Sequence, residues 1–128
     1  MTTWASDELK KIEKADELNL SSLRQDGTYR NPVIIWVVRV GDDLYIRAVK
    51  GRTGPWFRGT QTRHEGHIRS GGVEKDVTFV ETPDSPLHKE IDAAYREKYR
   101  RYPQSYVDAC LTPEAQAATM KLVPRTMD

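Results

Sequence analysis

The nine residues from Pro32 to Val40, Pro-Val-Ile-Ile-Trp-Val-Val-Arg-Val, constrain this chain more than any other stretch. Six of them are β-branched and only Arg39 is charged, a composition that packs well on a pleated surface and loses side-chain freedom in a helix. Such a near-continuous apolar run predicts a central strand with both faces covered. The rest of the chain then has to supply neighbouring strands and a layer to cover them.

Hairpins on either side supply the neighbours. Gly41-Asp42-Asp43 turns the run into Leu44 to Val49, which Gly51 and the Gly54-Pro55 break bring to an end, with Trp56 and Phe57 in a following loop. Upstream, Leu18 to Leu23 alternates before Gln25-Asp26-Gly27 supplies turn chemistry. Downstream, His67 to Ser70 and Val73 to Glu81 read as two strands hinged by Gly71-Gly72, with Val73, Val77 and Phe79 as core positions. Met120-Lys121-Leu122-Val123 is suited to a closing strand.

Helices flank these strands instead of alternating with them. Ser6, Asp7 and Glu8 precede Leu9 and Ile12 at helical spacing, and Lys10, Lys11 and Lys14 follow, an order that caps a short helix and matches its dipole. Ser85-Pro86 opens a longer helix in which Leu87, Ile91, Ala94, Tyr95 and Tyr99 share one face. A second helix runs from Pro103 through Leu111, and Thr112-Pro113-Glu114 starts a further turn. The predicted class is α+β or β-barrel, with about six mainly antiparallel strands and packed helices in one domain over residues 1–128.

At 128 residues, the chain can bury roughly two-thirds of its unfolded surface. Cys110 is the only cysteine, so no internal disulfide forms, which fits a reducing compartment. The first twenty residues carry eight charges and no apolar run of signal-peptide or membrane-span length. A cytoplasmic location without membrane contact is therefore expected. The net charge of +1 conceals an asymmetry, because residues 24–69 hold nine Lys or Arg against four Asp or Glu. A local excess of this size suits a phosphate-bearing ligand, whereas nucleic-acid binders usually carry a stronger bias across the whole domain; it equally suits a solvated basic face.

Two stretches carry a family resemblance. Arg24-Gln25-Asp26-Gly27-Thr28-Tyr29-Arg30-Asn31-Pro32-Val33 resembles the opening hairpin of the split-barrel proteins that include deazaflavin-dependent nitroreductases and flavin-binding oxidases of the pyridoxamine-phosphate type. Leu44-Tyr45-Ile46-Arg47-Ala48-Val49-Lys50-Gly51, followed by Pro55-Trp56-Phe57, resembles their second hairpin arm, phosphate loop and aromatic turn. Over its full length, including Gly71-Gly72, the Tyr-rich helix and Thr119 to Pro124, the chain is similar to a bacterial family of domains of unknown function. The resemblance implies a split β-barrel, a homodimer, and an FMN or deazaflavin cofactor that transfers hydride to a small organic substrate.

The candidate cofactor-binding residues under that resemblance are Arg24, Arg30, Arg47, Lys50, Gly51 and Trp56. Arg offers a planar fork to phosphate, Lys a point charge, and Gly close backbone approach. Arg24 and Arg30 flank one turn and equally suit pairing with Asp26 or another carboxylate. Trp56 and Trp36 suit a ring slot or plain core. Asp26, where the family carries a small hydroxyl residue, and Arg52, where a second Gly is common, favour the rival expectation of a non-catalytic module that binds an anionic metabolite or only its twin subunit. His64 and His67 lie three apart with Gly66 between them and no evident third ligand for a metal. No Ser-His-Asp, Walker or dinucleotide pattern is present, and the catalytic residues are left unassigned.

Overall fold

The computed structural model describes residues 3–125. In chain order the elements are α1 (Ser6–Lys14), β1 (Leu18–Ser22), β2 (Val33–Ile35), β3 (Val38–Val40), β4 (Asp43–Arg47), a 3-10 turn (Gly51–Thr53), α2 (Pro55–Thr60), β5 (Glu65–Ser70), β6 (Val73–Glu81), α3 (His88–Lys98), α4 (Gln104–Ala109), α5 (Pro113–Ala117) and β7 (Thr119–Pro124). The strands form one sheet in the order β2-β1-β5-β6-β7-β4-β3, with every neighbouring pair antiparallel. The sheet curls into a half-barrel with the helices packed on it. Among the described residues no helix is long and apolar enough to cross a membrane.

The Pro32–Val40 run departs from the expectation of one central strand. It breaks at Trp36-Val37, and its halves lie at opposite edges of the sheet: Leu18 pairs with Ile35 and Leu20 with Val33, while Val38 pairs with Tyr45 and Val40 with Asp43. This division gives seven strands in place of about six. A continuous apolar run does not by itself separate one strand from two short ones. Here the curl of the sheet brings its two edges within reach of a single nine-residue segment, so the run bridges them.

At the break, the backbone of Val37 leaves both ladders while remaining fully buried, so its polar groups need other partners. The Val37 N–H donates to Tyr99 Oη at 3.1 Å, and Lys98 Nζ donates to the Val37 carbonyl at 2.7 Å. Tyr99 Oη in turn donates to the Asp16 carbonyl at 2.8 Å. The rings of Trp36 and Tyr99 stack at 3.8 Å and 3°. Thus the end of α3 holds the crossing segment in place.

The C-terminal strand also takes an inner position. Instead of closing an edge, β7 lies between β6 and β4, pairing Phe79 with Leu122 and Ile46 with Met120. The hairpin between β5 and β6 turns at Gly71 and Gly72, whose φ values of 59° and 86° lie in the left-handed region that Gly enters without steric cost. The stretch read as a loop around Trp56 is the short helix α2, opened by Pro55 at its first turn. The helix expected from Ser85-Pro86 starts at His88, after Ser85 Oγ accepts the Leu87 N–H at 3.0 Å.

Alternation along β4 divides the core. Leu44 and Ile46 join Leu18, Ile68, Phe79 and Leu122 in one cluster, whereas Tyr45 packs with Val38, Ile91, Tyr95 and Tyr99 in another beneath α3. Arg47 shares the Tyr45 face by the two-residue period of a strand. A cation is thereby aimed into the second cluster.

Two expected outcomes follow. Tyr99→Phe leaves the Val37 N–H buried without its acceptor and is expected to cost about 1–3 kcal/mol in urea unfolding. Burial pulls the Lys98 ammonium down to about 8, against the opposing pull of Asp16 and Glu13. The unfolded chain therefore binds more protons at this group between pH 8 and its ordinary 10.5, so its contribution to stability rises with pH across that window. A carbon NMR titration of the Lys98 side chain checks the midpoint.

Candidate functional site

Arg47 ends β4 with its side chain fully buried. Nη1 donates to Asp92 on α3 and to the Cys110 carbonyl at 2.9 Å, while Nε donates to Thr119 Oγ1 at 2.9 Å. Nη2 lies 3.1 Å from His88 Nδ1, and His88 Nε2 lies 2.7 Å from the Pro83 carbonyl. A carbonyl only accepts, so the imidazole carries its proton on Nε2 and accepts from Arg47 through Nδ1. Asp92 is held on its other oxygen by Gln116 Nε2 at 3.2 Å. One guanidinium thus joins β4, α3, β7 and the end of α4, with its charge met by a carboxylate.

Beside this group lies a cavity of about 550 Å³, within the ordinary range of small-molecule sites. Its walls come from β2, the end of β4, the start of α2, and helices α3 and α4. The lining is mostly apolar, with Trp36 and Trp56 as its large flat side chains. Trp36 is half-buried and backed by Tyr99; Trp56 is half-buried beside Phe57. Three lining residues, Ile34, Val49 and Tyr106, are large apolar side chains exposed at 62%, 48% and 61%. Most of the exposed large apolar side chains therefore sit on this one feature.

The polar groups of the cavity lie at separate places. Lys50 is exposed and, among the described residues, makes neither an ion pair nor a hydrogen bond. Tyr95 is 1% exposed, and its hydroxyl has no hydrogen-bond partner. Burial raises the Tyr95 hydroxyl well above the usual phenol range and pushes the Cys110 thiol up to about 11. Both groups are protonated donors at neutral pH, and Cys110 Sγ is already directed at the Tyr106 carbonyl, 3.7 Å away.

Of the six residues singled out from the sequence, Arg47, Lys50 and Trp56 come together here. Arg24 instead staples its own turn, donating to the Tyr29 carbonyl at 2.8 Å. Arg30 donates to Thr62 Oγ1 at 2.9 Å, and its stem runs so close to α2 that a Cβ at Gly59 would lie 3.0 Å from Arg30 Nε. Gly51 is buried, with its N–H given to the Ala48 carbonyl at 2.9 Å and its Cα facing Glu114. Asp26 accepts both the N–H and the hydroxyl of Thr28, bonds that hold its carboxyl below the usual range.

The basic excess of residues 24–69 is largely compensated in space. Arg39, Arg47, Arg52, Arg63 and Arg69 each meet a carboxylate, Arg24 and Arg30 donate only to neutral oxygens, and the side chains of Lys50 and Arg58 have no partner among the described residues. His64 pairs with Glu81 and His67 with Asp76. No group of three His, Cys, Asp or Glu placed to hold a metal occurs among the described residues. Sequence reasoning missed Asp92, His88 and Tyr95 as parts of the site. The helical period that puts Tyr95 on one face with Ile91 was a signal for burial, but not for an unpartnered hydroxyl.

The family described as "Uncharacterized protein conserved in bacteria (DUF2255)" matches residues 8–122, and the chain belongs to it. No curated protein matches the chain in sequence. Among solved structures, a protein of Listeria innocua named as a candidate pyridoxamine 5′-phosphate oxidase superposes with a TM-score of 0.62 at 14% identity, covering 92% of this chain and 90% of that one. An F420-H2 dependent reductase gives 0.61 at 15% identity over 84% and 93% of the two chains. The haem storage protein of Vibrio cholerae gives 0.60 at 14% identity over 95% and 91%. At these identities the likeness establishes the fold, a split barrel shared with flavin and F420 reductases and haem-binding proteins.

Replacing Arg47 by Ala is expected to destabilise the fold by about 3–5 kcal/mol, because it strands the buried side of Asp92. Thermal or urea unfolding of the purified variant measures the loss.

Proposed function

We propose that this member of the family binds a flat, ring-bearing cofactor of the flavin or deazaflavin type in the cavity beside Arg47, and that the bound cofactor transfers hydride to a small organic substrate. The observation that carries this reading is the apolar slot containing Trp36 and Trp56 with an unpaired ammonium, Lys50, on its wall. A flat ring system needs such a slot, and an anionic tail needs a cation whose charge is not already neutralised.

The donor set fits a ring and one anionic group. Lys50 would hold the anionic end, Trp36 and Trp56 would flank the ring, and Arg47 would fix the wall without adding net charge, since Asp92 compensates it. The cofactor supplies the redox chemistry when bound; the chain binds it, orients it and keeps water from the ring. The exposed apolar side chains Ile34, Val49 and Tyr106 support a homodimer in which a second copy covers the cavity. An F420-H2 dependent reductase among the structural neighbours agrees with the cofactor class.

A non-catalytic module, binding an anionic metabolite or only its twin subunit, is favoured by a different observation: Arg47 is internally paired and the Gly51 N–H is internally bonded. Titration with FMN and with a deazaflavin separates the two. Saturable quenching of ring fluorescence is expected for one of them, weakened by about 1–3 kcal/mol in Lys50→Ala. Absence of binding by both cofactors would overturn the oxidoreductase reading in favour of the module.

A further inference from the structure

The hydroxyl of Tyr95 is anomalous in its surroundings. Tyr side chains usually find a hydrogen-bond partner when buried, yet this one is 1% exposed and has none. The other buried, unpaired side-chain atom among the described residues is Arg30 Nε, which belongs to the contact with Gly59 and Thr62 and does not line the cavity. The Arg47 backbone N–H faces the Tyr95 hydroxyl oxygen without reaching hydrogen-bond geometry, and the side chains beside the hydroxyl are already engaged. Arg47, whose guanidinium carbon sits 5.5 Å from the Tyr95 ring centroid, is bound by Asp92, Thr119, the Cys110 carbonyl and His88. The Cys110 thiol is directed at the Tyr106 carbonyl.

An unsatisfied buried hydroxyl carries a desolvation cost that folding alone does not recover. A Phe at this position would keep the apolar packing against Ile91 and Tyr99 without that cost. The hydroxyl therefore makes sense as a donor reserved for something that enters the cavity. Its raised titration point keeps the proton on the oxygen throughout the physiological range. Lys50, by contrast, is exposed. The cavity thus has a buried neutral donor and an exposed cation, with the two Trp side chains also in its wall.

We propose that Tyr95 is the positioning residue of this site, donating its hydroxyl proton in a hydrogen bond to a carbonyl oxygen or ring nitrogen on the inner edge of the bound ring. The proposal rests on the cofactor reading above and adds an orientation: ring edge inward against Tyr95, anionic end outward toward Lys50. Ligands with an apolar inner edge are disfavoured, because they bury the hydroxyl without a partner.

The test uses Tyr95→Phe in the full chain, with Lys50→Ala in parallel. Without ligand, Tyr95→Phe is expected to unfold in urea at the same concentration as the wild type or a higher one. It is expected to bind FMN or the deazaflavin about threefold to tenfold more weakly and to shift the visible band of the bound ring. Lys50→Ala weakens binding but leaves that band in place, because its contact is with the anionic end. Equal affinity and an unchanged band in Tyr95→Phe would overturn the proposal while leaving the cofactor reading intact. So would a tenfold lower folding constant for the ligand-free variant, which would make the hydroxyl structural. If neither compound binds the wild type, the cofactor reading itself fails, and the assigned orientation fails with it.

Discussion

The buried guanidinium of Arg47 is the interaction on which the rest of the structure depends. A cation taken out of water is stable only if its charge and its N–H groups all find partners. Here those partners come from α3, the end of α4 and β7. Four segments far apart in the chain are therefore fixed relative to one another by a single side chain. Because the donors of a guanidinium have a rigid planar geometry, the angle at which α3 crosses the sheet is tied to the conformation of β4.

That arrangement also defines the cavity. With Arg47 held back against Asp92 and His88, the wall beside it is polar yet electrically compensated, and the free positive charge is left to Lys50. With α3 held down, the Tyr95 ring is buried and its hydroxyl has no protein partner. The same helix ends in Lys98 and Tyr99, which satisfy the backbone of Val37 where the crossing segment leaves the sheet. The two ends of α3 therefore perform linked tasks: the first turns anchor Arg47, and the last turn secures the segment that forms the β2 wall.

The crossing segment illustrates how curvature changes the meaning of a sequence. In a flat sheet, Pro32–Val40 would be one covered strand. In a curled one the first and last edges approach each other, and the segment contributes three residues to each of them. Ile34 is left 62% exposed as a result, which accounts for an apolar side chain at the rim of the cavity within a run that reads as core. The break falls at Trp36-Val37, where the indole finds a stacking partner in Tyr99 and the peptide finds polar partners in Lys98 and Tyr99.

Much of the fold was legible in the residues. Alternation marked β1, turn chemistry at Gln25-Asp26-Gly27, Gly41-Asp42-Asp43 and Gly71-Gly72 marked the reversals, and the 3.6-residue period of Ile91, Tyr95 and Tyr99 marked α3; these are local signals carried by neighbours in the chain. The grouping of Arg47, Lys50 and Trp56 was legible too, since all three fall within ten consecutive residues. Tertiary structure alone decided that Asp92 would neutralise Arg47, that Arg24, Arg30 and Gly51 would lie outside the cavity, that the apolar run would split between two edges, and that the Tyr95 hydroxyl would be buried unpaired. The reason is physical: pairing of a charge and satisfaction of a hydrogen bond depend on which groups meet across dozens of residues, and periodicity along the chain records which face is buried without recording what it is buried against.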